Sequence, residues 1–290
     1  MSERGLLGAG EIRRLAEEVD LRPTKRLGQN FVHDANTVRK IVQAAHVVAG
    51  DRVLEVGPGL GSLTLGLLEA GASVVAVEID PRLAELLPRT AARLAPGAPL
   101  SVVTADALTV RALPLEPERL VANLPYNVSV PVLLHLVEAF PSLRSALVMV
   151  QAEVGERLAA GPGTKAYGGP SVKAAWYGSW RLAGTVSRQV FWPVPNVDSV
   201  LVGFERGLPP GDEDERVRVF ELVEAAFGQR RKMLRQSLQA QLGAAGTAEA
   251  SAILESAGIE PTSRGEQLSL GDFLAIARAA GPGPVPGAAR

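Results

Sequence analysis

The chain has 290 residues, of which 47% are hydrophobic and 21% charged, and its formal net charge is −1. This length allows one large domain and a smaller one, and the composition is that of an ordinary globular protein. The absence of cysteine excludes disulfides, a thiol nucleophile and a cysteine-based zinc site. His33, His46 and His135 show no ligand spacing, so we expect a mechanism without a metal.

The N-terminal stretch has no basic segment followed by an apolar run of signal-peptide length, and no later stretch is long and apolar enough to span a membrane. We therefore expect a cytoplasmic protein without a membrane partner. Residues 11–19 have apolar positions at helical spacing and predict a short helix. A basic cluster follows, made of Arg22, Lys25 and Arg26.

Two neighbouring amides, Gln29 and Asn30, precede Phe31 and Val32. Amides can hydrogen-bond a polar ligand without adding charge, although a plain loop anchored by Phe31 explains the same residues. Residues 34–48 then predict a second helix.

A glycine turn separates a predicted buried strand from a predicted helix. The strand, 51–56, leads into Gly57-Pro58-Gly59-Leu60-Gly61, and the helix covers 62–69. Glycines let the backbone approach a ligand closely, and the helix start offers free N–H groups. The fingerprint of a dinucleotide site is G-x-G-x-x-G, whereas this chain has G-x-G-x-G, which suits a ligand with a ribose and no pyrophosphate. Glycine spacing alone discriminates weakly between the two.

Polar side chains follow the next three predicted strands. Strand 73–77 ends on Glu78, placed to accept the hydroxyls of a ribose, and strand 100–104 ends beside Asp106, which could accept from the exocyclic amine of adenine. Strand 120–122 leads into the acceptor turn, Asn123-Leu124-Pro125-Tyr126. An amide, a carbonyl before proline and an aromatic ring can grip a planar amine, although backbone reasons alone also place Asn and Pro in turns.

The second half of the chain predicts three more strands, 145–150, 181–190 and 199–204, and a helix over 151–160. Residues 161–169 are rich in glycine and predict a mobile loop. Phe191 starts a proline-rich segment that ends at Asp198; its ring could be part of the core or could clamp a planar base.

Residues 208–215 predict a linker, and 217–238 predict one helix that carries a run of cations without interleaved acids. This run contains Arg230, Arg231, Lys232 and Arg235. Phosphate contact is the better hypothesis for it than a solvated helix face, and such contact weakens with salt. Two short helices follow, the last with a capping-box start at Ser269.

Together these segments resemble the ribosomal RNA adenine dimethyltransferases of the KsgA type. The resemblance covers nearly the whole chain and is carried by motifs in this order: Leu27-Gly28-Gln29-Asn30-Phe31, Glu55-Val56-Gly57-Pro58-Gly59-Leu60-Gly61, Asn123-Leu124-Pro125-Tyr126-Asn127, Phe191-x-Pro-x-Pro with Val197-Asp198-Ser199, and Arg230-Arg231-Lys232-x-Leu234. It implies an α/β fold, with the Rossmann-like seven-stranded sheet of class I methyltransferases and a small all-helical C-terminal domain.

The resemblance also implies S-adenosylmethionine as methyl donor and two adjacent adenines near the 3′ end of small-subunit rRNA as target. The expected donor-binding residues are Gln29, Asn30, Val32, Gly57, Gly59, Gly61, Glu78, Ile79, Asp106, Ala107 and Asn123. The expected catalytic residues are Asn123, Leu124, Pro125, Tyr126 and Phe191, with Arg22, Lys25, Arg26, Arg230, Arg231, Lys232 and Arg235 on the RNA. The expected domains are an N-terminal helical extension 1–26, a catalytic domain 27–207, a C-terminal RNA-binding domain 212–282 and a disordered tail 283–290.

The expected partner is an immature 30S particle, bound by a monomer. Relatives that methylate large-subunit rRNA usually carry isoleucine in place of Leu124 and tend to lack an equivalent of Asp198, so these two positions favour the small-subunit target. The sequence also admits a protein that acts chiefly as a non-catalytic ribosome-assembly factor. A NAD-linked oxidoreductase is disfavoured by the glycine spacing.

Overall fold

The computed structural model describes residues 5–22 and 30–281. Within them the chain separates into two compact units, one made of Met1–Gly155 with Trp180–Arg206 and one made of Glu156–Ser179 with Gly207–Arg290. The first unit therefore includes 5–22, the described part of the predicted N-terminal extension 1–26, and residues 156–179 belong to the second unit rather than to a catalytic domain 27–207. The expected all-helical part is larger than 212–282 for the same reason.

The first unit is built on a seven-stranded sheet, as the sequence predicts. Its strands are β2 (Arg52–Val56), β3 (Ser73–Glu78), β4 (Leu100–Thr104), β5 (Arg119–Asn123), β6 (Ser145–Gln151), β7 (Gly178–Val186, from Trp180 onward in this unit) and β9 (Ser199–Arg206). The order across the sheet is β4-β3-β2-β5-β6-β9-β7. A separate antiparallel pair joins β1 (Phe31–Val32) to β8 (Phe191–Trp192).

Strands β2 to β6 run parallel, and β9 runs antiparallel to β6. Their near-continuous apolar sequences suit a parallel sheet that is covered on both faces. In this register Glu78 lies beside Thr104, and Asn123 lies beside Met149. The carboxyl ends of the parallel strands therefore meet at one edge, which we call the reactive edge, where open α/β sheets bind their ligands.

Helices cover the sheet of the first unit: α1 (Ala9–Glu18), α2 (Ala35–Ala44), α3 (Ser62–Glu69), α4 (Pro81–Leu94) and α5 (Ser129–Ala139), with α6 (Ala152–Leu158) crossing the unit boundary. The apolar face of α1, with Ile12 and Leu15, belongs to the same buried cluster as Val74 of β3. The N-terminal helix is therefore part of this unit's core and not a separate extension. Helix α4 was not anticipated from the sequence.

The second unit is helical and consists mainly of α7 (Gly169–Ala175), α8 (Glu213–Gly228), α9 (Leu234–Ser237), α10 (Thr247–Ser256) and α11 (Leu270–Ala279). Phe227 of α8 packs against Phe273 of α11, with ring centroids 6.3 Å apart. Ser269 caps α11 in the capping box that the sequence predicts, since its hydroxyl accepts from the N–H of Asp272 at 3.2 Å. Helix α7 was not predicted.

Three predicted elements of the second unit differ from the observed ones. The acidic residues 212–215 do not form a linker: Asp212 caps α8 and accepts from the N–H of Glu215 at 2.9 Å. The predicted helix 217–238 is two helices, α8 and α9, separated by a turn. The glycine-rich stretch predicted as a mobile loop is attached to the unit, because the Tyr167 hydroxyl donates to the carbonyl of Leu268 at 2.7 Å.

Candidate functional site

One pocket at the reactive edge brings most of the predicted donor-binding residues together. It is lined by Asn30, Val32, Gly57, Gly59, Glu78, Ile79, Asp106, Ala107 and Asn123, with Pro125 from the acceptor turn. Asn30 and Val32 lie at β1, and the others lie at or just after the carboxyl ends of β2, β3, β4 and β5, so the strand ends explain most of their convergence. Gln29, Lys25 and Arg26 lie outside the described residues.

The glycine turn shapes the floor of the pocket. Gly57, Gly59 and Gly61 have φ angles of 66°, 58° and 93°, the left-handed region that favours glycine. A Cβ added to Gly59 would lie 2.6 Å from the Phe31 ring, so this backbone has no room for a side chain. Gly61 does not line the pocket: it caps α3, and an added Cβ would lie 2.7 Å from Leu87. The backbone of Gly57 and Gly59 thus lines the pocket, and we call it the backbone cradle. Gly61 serves packing against Leu87 instead.

Glu78, the last residue of β3, forms a hydrogen bond with the backbone cradle. Its side chain is buried, and its carboxylate accepts from the N–H groups of Gly59 at 3.1 Å and Asp80 at 3.0 Å. Burial raises the pKa of Glu78, and these backbone hydrogen bonds oppose the rise because they favour the charged form. A carboxylate has about four acceptor positions, so two hydrogen bonds leave capacity for ligand hydroxyls.

Glu55 is a second buried carboxyl group of the pocket, and sequence reasoning missed it. It lies within β2, lines the pocket and accepts from the Thr64 hydroxyl at 2.6 Å. Burial raises its pKa to about 8, and the nearby Glu78 charge adds to the rise. The available signal was an acid inside the apolar run Val53-Leu54-Glu55-Val56, where only a hydrogen-bonded or neutral carboxyl group is tolerated.

The far end of the pocket combines an acceptor with apolar surface. The Asp106 side chain is exposed, and its Oδ1 accepts from the N–H of Leu108 at 2.9 Å. Ile79 is 57% exposed although it is a large aliphatic residue, and Ala107 is buried beside it along the lining. An acceptor next to an uncovered aliphatic side chain suits a flat heterocycle with an amino group.

The acceptor turn is oriented by a hydrogen bond from Asn123. Its Nδ2 donates to the backbone carbonyl of Asn30 at 2.9 Å. Because a carbonyl can only accept, this bond requires the amide nitrogen to face Asn30 and turns Oδ1 the other way. The N–H of Leu124 donates to the carbonyl of Met149 at 3.1 Å, and within the described part of the chain no hydrogen bond ends on the Leu124 carbonyl.

Tyr126 and Phe191 lie close to this turn in different ways. The Tyr126 hydroxyl forms a hydrogen bond with the Ser199 hydroxyl at 2.7 Å, and burial raises the Tyr126 pKa. Its ring is half-buried and keeps an open part. The Phe191 ring is only 1% exposed and pairs through its backbone with Val32. In this conformation Phe191 is a core residue, and the expectation that it offers an open face to a base is not met.

The predicted basic helix is a turn between α8 and α9. Arg230, Arg231 and Lys232 are exposed on it, and Arg235 is half-buried on α9. Arg230 forms an ion pair with Glu266 at 3.6 Å, whereas Arg231 and Lys232 have no ion pair with any residue the structure describes. In the first unit, the side chain of Arg22 is 92% exposed, 3.9 Å from Asp20. The cationic side chains of residues 230–232 are thus exposed to solvent, but they lie on a turn and not on the predicted helix.

Membrane-spanning and metal-binding features are both missing from the part of the chain that the structure describes. No helix in it combines the length and the apolar character that a membrane crossing requires. Nor do 5–22 and 30–281 contain a group of three or more His, Cys, Asp or Glu residues placed to hold a metal ion.

Known proteins resemble this chain in sequence and in fold. The family described as Ribosomal RNA adenine dimethylase matches residues 21–280. The chain belongs to the ribosomal RNA adenine dimethylase family. S-Adenosylmethionine is the methyl donor of such enzymes, and the backbone cradle with its buried acid fits that molecule, since it leaves close access to the backbone and an acceptor beside it.

Several relatives of this dimethylase are similar over nearly their whole length. The chain is 69% identical over 280 residues to Ribosomal RNA small subunit methyltransferase A of Leifsonia xyli subsp. xyli, covering 96% of this chain and 99% of the relative. It is 59% identical to the protein of the same name from Arthrobacter sp. strain FB24, covering 94% of this chain and 93% of the relative.

Solved structures show the same fold. A dimethyladenosine transferase from Plasmodium falciparum has a TM-score of 0.72 at 23% identity, covering 87% of this chain and 99% of that one. The 23S rRNA methyltransferase ErmE has a TM-score of 0.64 at 27% identity, covering 86% of this chain and 98% of that one. The predicted class I methyltransferase sheet is thereby confirmed.

Proposed function

We propose that this adenine dimethylase transfers methyl groups to N6 of two adjacent adenines near the 3′ end of small-subunit (16S) rRNA. The proposal rests on the family, on the identity of 69% to a small-subunit methyltransferase and on the geometry of the acceptor turn. Its substrate would be the immature 30S particle, met by a monomer in the cytoplasm.

Different pocket residues would bind different parts of S-adenosylmethionine. The Gly57–Gly59 backbone would lie against the donor, the Glu78 carboxylate would accept from its ribose hydroxyls and Asp106 from its adenine amine. Ile79 and Ala107 would cover the faces of that adenine. When bound, the donor supplies a methyl group on a positively charged sulfur.

The observation that carries the proposal is the hydrogen bond from Asn123 Nδ2 to the Asn30 carbonyl. It commits the amide nitrogen, so Asn123 Oδ1 is left as an acceptor beside the pocket. We assign the two N6 hydrogens of the target adenine to Asn123 Oδ1 and to the Leu124 carbonyl, which precedes Pro125 and accepts no hydrogen bond from any residue the structure describes.

These two acceptors make N6 a better nucleophile. Its lone pair is normally delocalised into the ring, and two hydrogen bonds to the N–H groups favour a tetrahedral nitrogen whose lone pair is free. Positive charge then develops on the amine, and the same oxygens stabilise it electrostatically. No strong base is needed, since the proton can leave to solvent after transfer; orientation of the reacting groups contributes about 7–11 kcal/mol in well-oriented systems.

The target adenine must leave its stack to reach the turn, which costs about a few kcal/mol. The half-buried ring of Tyr126 can offset this through its open part, because stacking of a base on an aromatic ring is worth roughly 1–3 kcal/mol. The hydrogen bond to Ser199 fixes the orientation of that ring.

A large-subunit target is the weaker candidate. ErmE, which is named as a 23S rRNA methyltransferase, is 27% identical to this chain, whereas the two small-subunit methyltransferases are 69% and 59% identical to it. Leu124 and Asp198 also favour the small-subunit target. A role as an assembly factor is a second candidate, and subunit binding by a catalytically inactive variant separates it from catalysis.

The test is Asn123→Ala, with Asn36→Ala as control because Asn36 is an exposed residue of α2 outside the pocket. We expect Asn123→Ala to bind S-adenosylhomocysteine within about tenfold of wild type while methyl transfer falls by roughly 100-fold or more, as for loss of a preorganised transition-state contact. Near wild-type transfer by Asn123→Ala would reject the assignment. A thermal shift by NAD rather than S-adenosylhomocysteine would reject the donor.

A further inference from the structure

Residues 193–198 form a loop at the reactive edge, which we call the valine loop. It joins β8 to β9, and β9 begins at Ser199, which pairs with Gln151 at the carboxyl end of β6. Asn123 ends the neighbouring strand β5 at the same edge. The Tyr126–Ser199 hydrogen bond of 2.7 Å links the acceptor turn directly to the end of the valine loop.

The valine loop is held firmly by its flanks. Arg188 forms an ion pair with Asp198 at 2.9 Å and donates to the carbonyl of Asn196 at 3.2 Å. The Asp198 carbonyl accepts from the N–H of Ala152 at 2.9 Å. Pro195 is buried, so the middle of the loop is anchored as well. The backbone of the loop is therefore anchored, while Val194, Asn196 and Val197 are exposed on it.

Two of the presented side chains are apolar. Val194 is 61% exposed and Val197 is 42% exposed. Single exposed apolar residues are ordinary on protein surfaces. Here two occur in six residues of an anchored loop, at the edge where the substrate arrives, and the fold leaves them uncovered. The two side chains therefore offer apolar surface at the edge where the substrate binds.

We propose that Val194, with Val197 three residues further along the same loop, packs against the bases next to the target adenine and occupies stacking space that opens when this adenine is extruded. The inference rests on the proposed function. Apolar side chains inserted at base steps are used by other nucleic-acid-binding proteins to hold a distorted helix. The partner is an RNA base because the Tyr126–Ser199 hydrogen bond joins the end of the valine loop to the turn that receives the extruded adenine.

The test compares Val194→Ser with Val48→Ser. Val48 is 60% exposed, matching Val194, but lies between α2 and β2, at the opposite end of β2 from the reactive edge. Two readouts are taken: kcat/KM for methyl transfer to small subunits lacking the modification, and binding-induced fluorescence of 2-aminopurine placed beside the target adenines in an RNA hairpin. A Val194→Ser/Val197→Ser variant and melting temperatures check additivity and folding.

We expect Val194→Ser to lower kcat/KM by about tenfold, in the range of losing most of the burial of one valine side chain, while Val48→Ser and binding of S-adenosylhomocysteine stay unchanged. The 2-aminopurine signal should rise with wild type and Val48→Ser and fall toward the free-RNA value with Val194→Ser. A signal equal in all three proteins, or absent from all, overturns the inference. If Val194→Ser loses methyl transfer to subunits while its 2-aminopurine signal equals that of wild type, the valine loop contacts a ribosomal protein and not an RNA base. That result also overturns the inference. If wild type methylates no subunits, the proposed function fails, while the fluorescence still reports on the loop.

Discussion

Glu55 is a carboxyl group that the fold keeps away from water while it shares a pocket with Glu78. Its hydrogen bond from Thr64 favours the charged form, but burial outweighs it, and the pKa rises to about 8. Near neutral pH the group is therefore mostly protonated. A neutral Glu55 avoids placing two like charges side by side in a buried space, since burial also raises the pKa of Glu78.

The stability consequence of Glu55 has a definite sign. The carboxyl titrates near 4.5 in the unfolded chain and near 8 in the folded protein, so between these values the folded state holds a proton that the unfolded state has lost. The free energy of unfolding must then fall as pH rises through this window. Glu55→Gln keeps an acceptor for Thr64 and carries no charge.

We predict that the melting temperature of Glu55→Gln minus that of wild type increases from pH 5 to pH 8.5. Glu85→Gln, an exposed carboxylate on α4, serves as control and should show no such trend. Thermal unfolding followed by circular dichroism measures both. A difference that stays constant or shrinks with pH would contradict the buried, protonated state of Glu55.

At the scale of elements, the glycine turn is the clearest case of a backbone that the sequence predicts correctly. The order strand, glycines, helix placed Gly57 and Gly59 at the pocket without further information. The contact that makes Gly59 necessary was not predictable, because Phe31 reaches it through tertiary packing. For the same reason the burial of Phe191 could not be read from its neighbours in sequence.

Gly59→Ala tests the turn, with Gly97→Ala as matched control. Both have left-handed φ angles, 58° and 78°, and alanine there costs about 1–2 kcal/mol. Only at Gly59 does the added Cβ also meet a ring, at 2.6 Å, whereas Gly97 has nothing within 4 Å. We expect both variants to melt a few degrees lower, and only Gly59→Ala to lose affinity for S-adenosylhomocysteine by about tenfold or more in calorimetry. Equal affinities in the two variants would show that the cradle does not contact the donor.

The break between α8 and α9 shows where helical periodicity misleads. In a continuous helix the N–H of Leu234 would bond to the carbonyl of Arg230; instead it bonds to that of Ser263 at 2.8 Å. The next N–H, from Arg235, bonds to Pro261 at 3.2 Å. Partners nearly thirty residues away replace the local ones, and no local pattern reveals them. The cations consequently project from a turn.

At the scale of the whole molecule, the division into two units assigns the sheet and pocket to one and the exposed cations 230–232 to the other. The sequence predicts a sheet domain and a separate helical domain that carries these cations, but it assigns residues 156–179 to the sheet domain, whereas they belong to the second unit. That segment interrupts the first unit in sequence, and its membership is decided by packing, such as the hydrogen bond from Tyr167 to Leu268. The RNA-binding role of the second unit stays a prediction.

That role is tested by removing unpaired cations. Arg231→Ala/Lys232→Ala is compared with Lys173→Ala/Arg278→Ala, which removes the same charge from the same unit at residues paired with Glu224 at 2.6 Å and Glu215 at 2.7 Å. Each lost phosphate contact reduces the slope of log Kobs against log salt by about 0.7–0.9. We expect the first pair to flatten the slope for RNA binding by roughly 1.5 and the second to leave it near wild type. Equal slopes would reject phosphate contact by this turn.

Transfer of labelled methyl groups to purified ribosomal subunits, with each modified nucleotide located by mass spectrometry, tests the account most directly. Small and large subunits from cells lacking the protein are each incubated with it and S-adenosylmethionine. We predict N6,N6-dimethyladenine at two adjacent positions near the 3′ end of small-subunit rRNA and no label in large-subunit rRNA. Label in the large-subunit rRNA, or none in either, would contradict the proposed function.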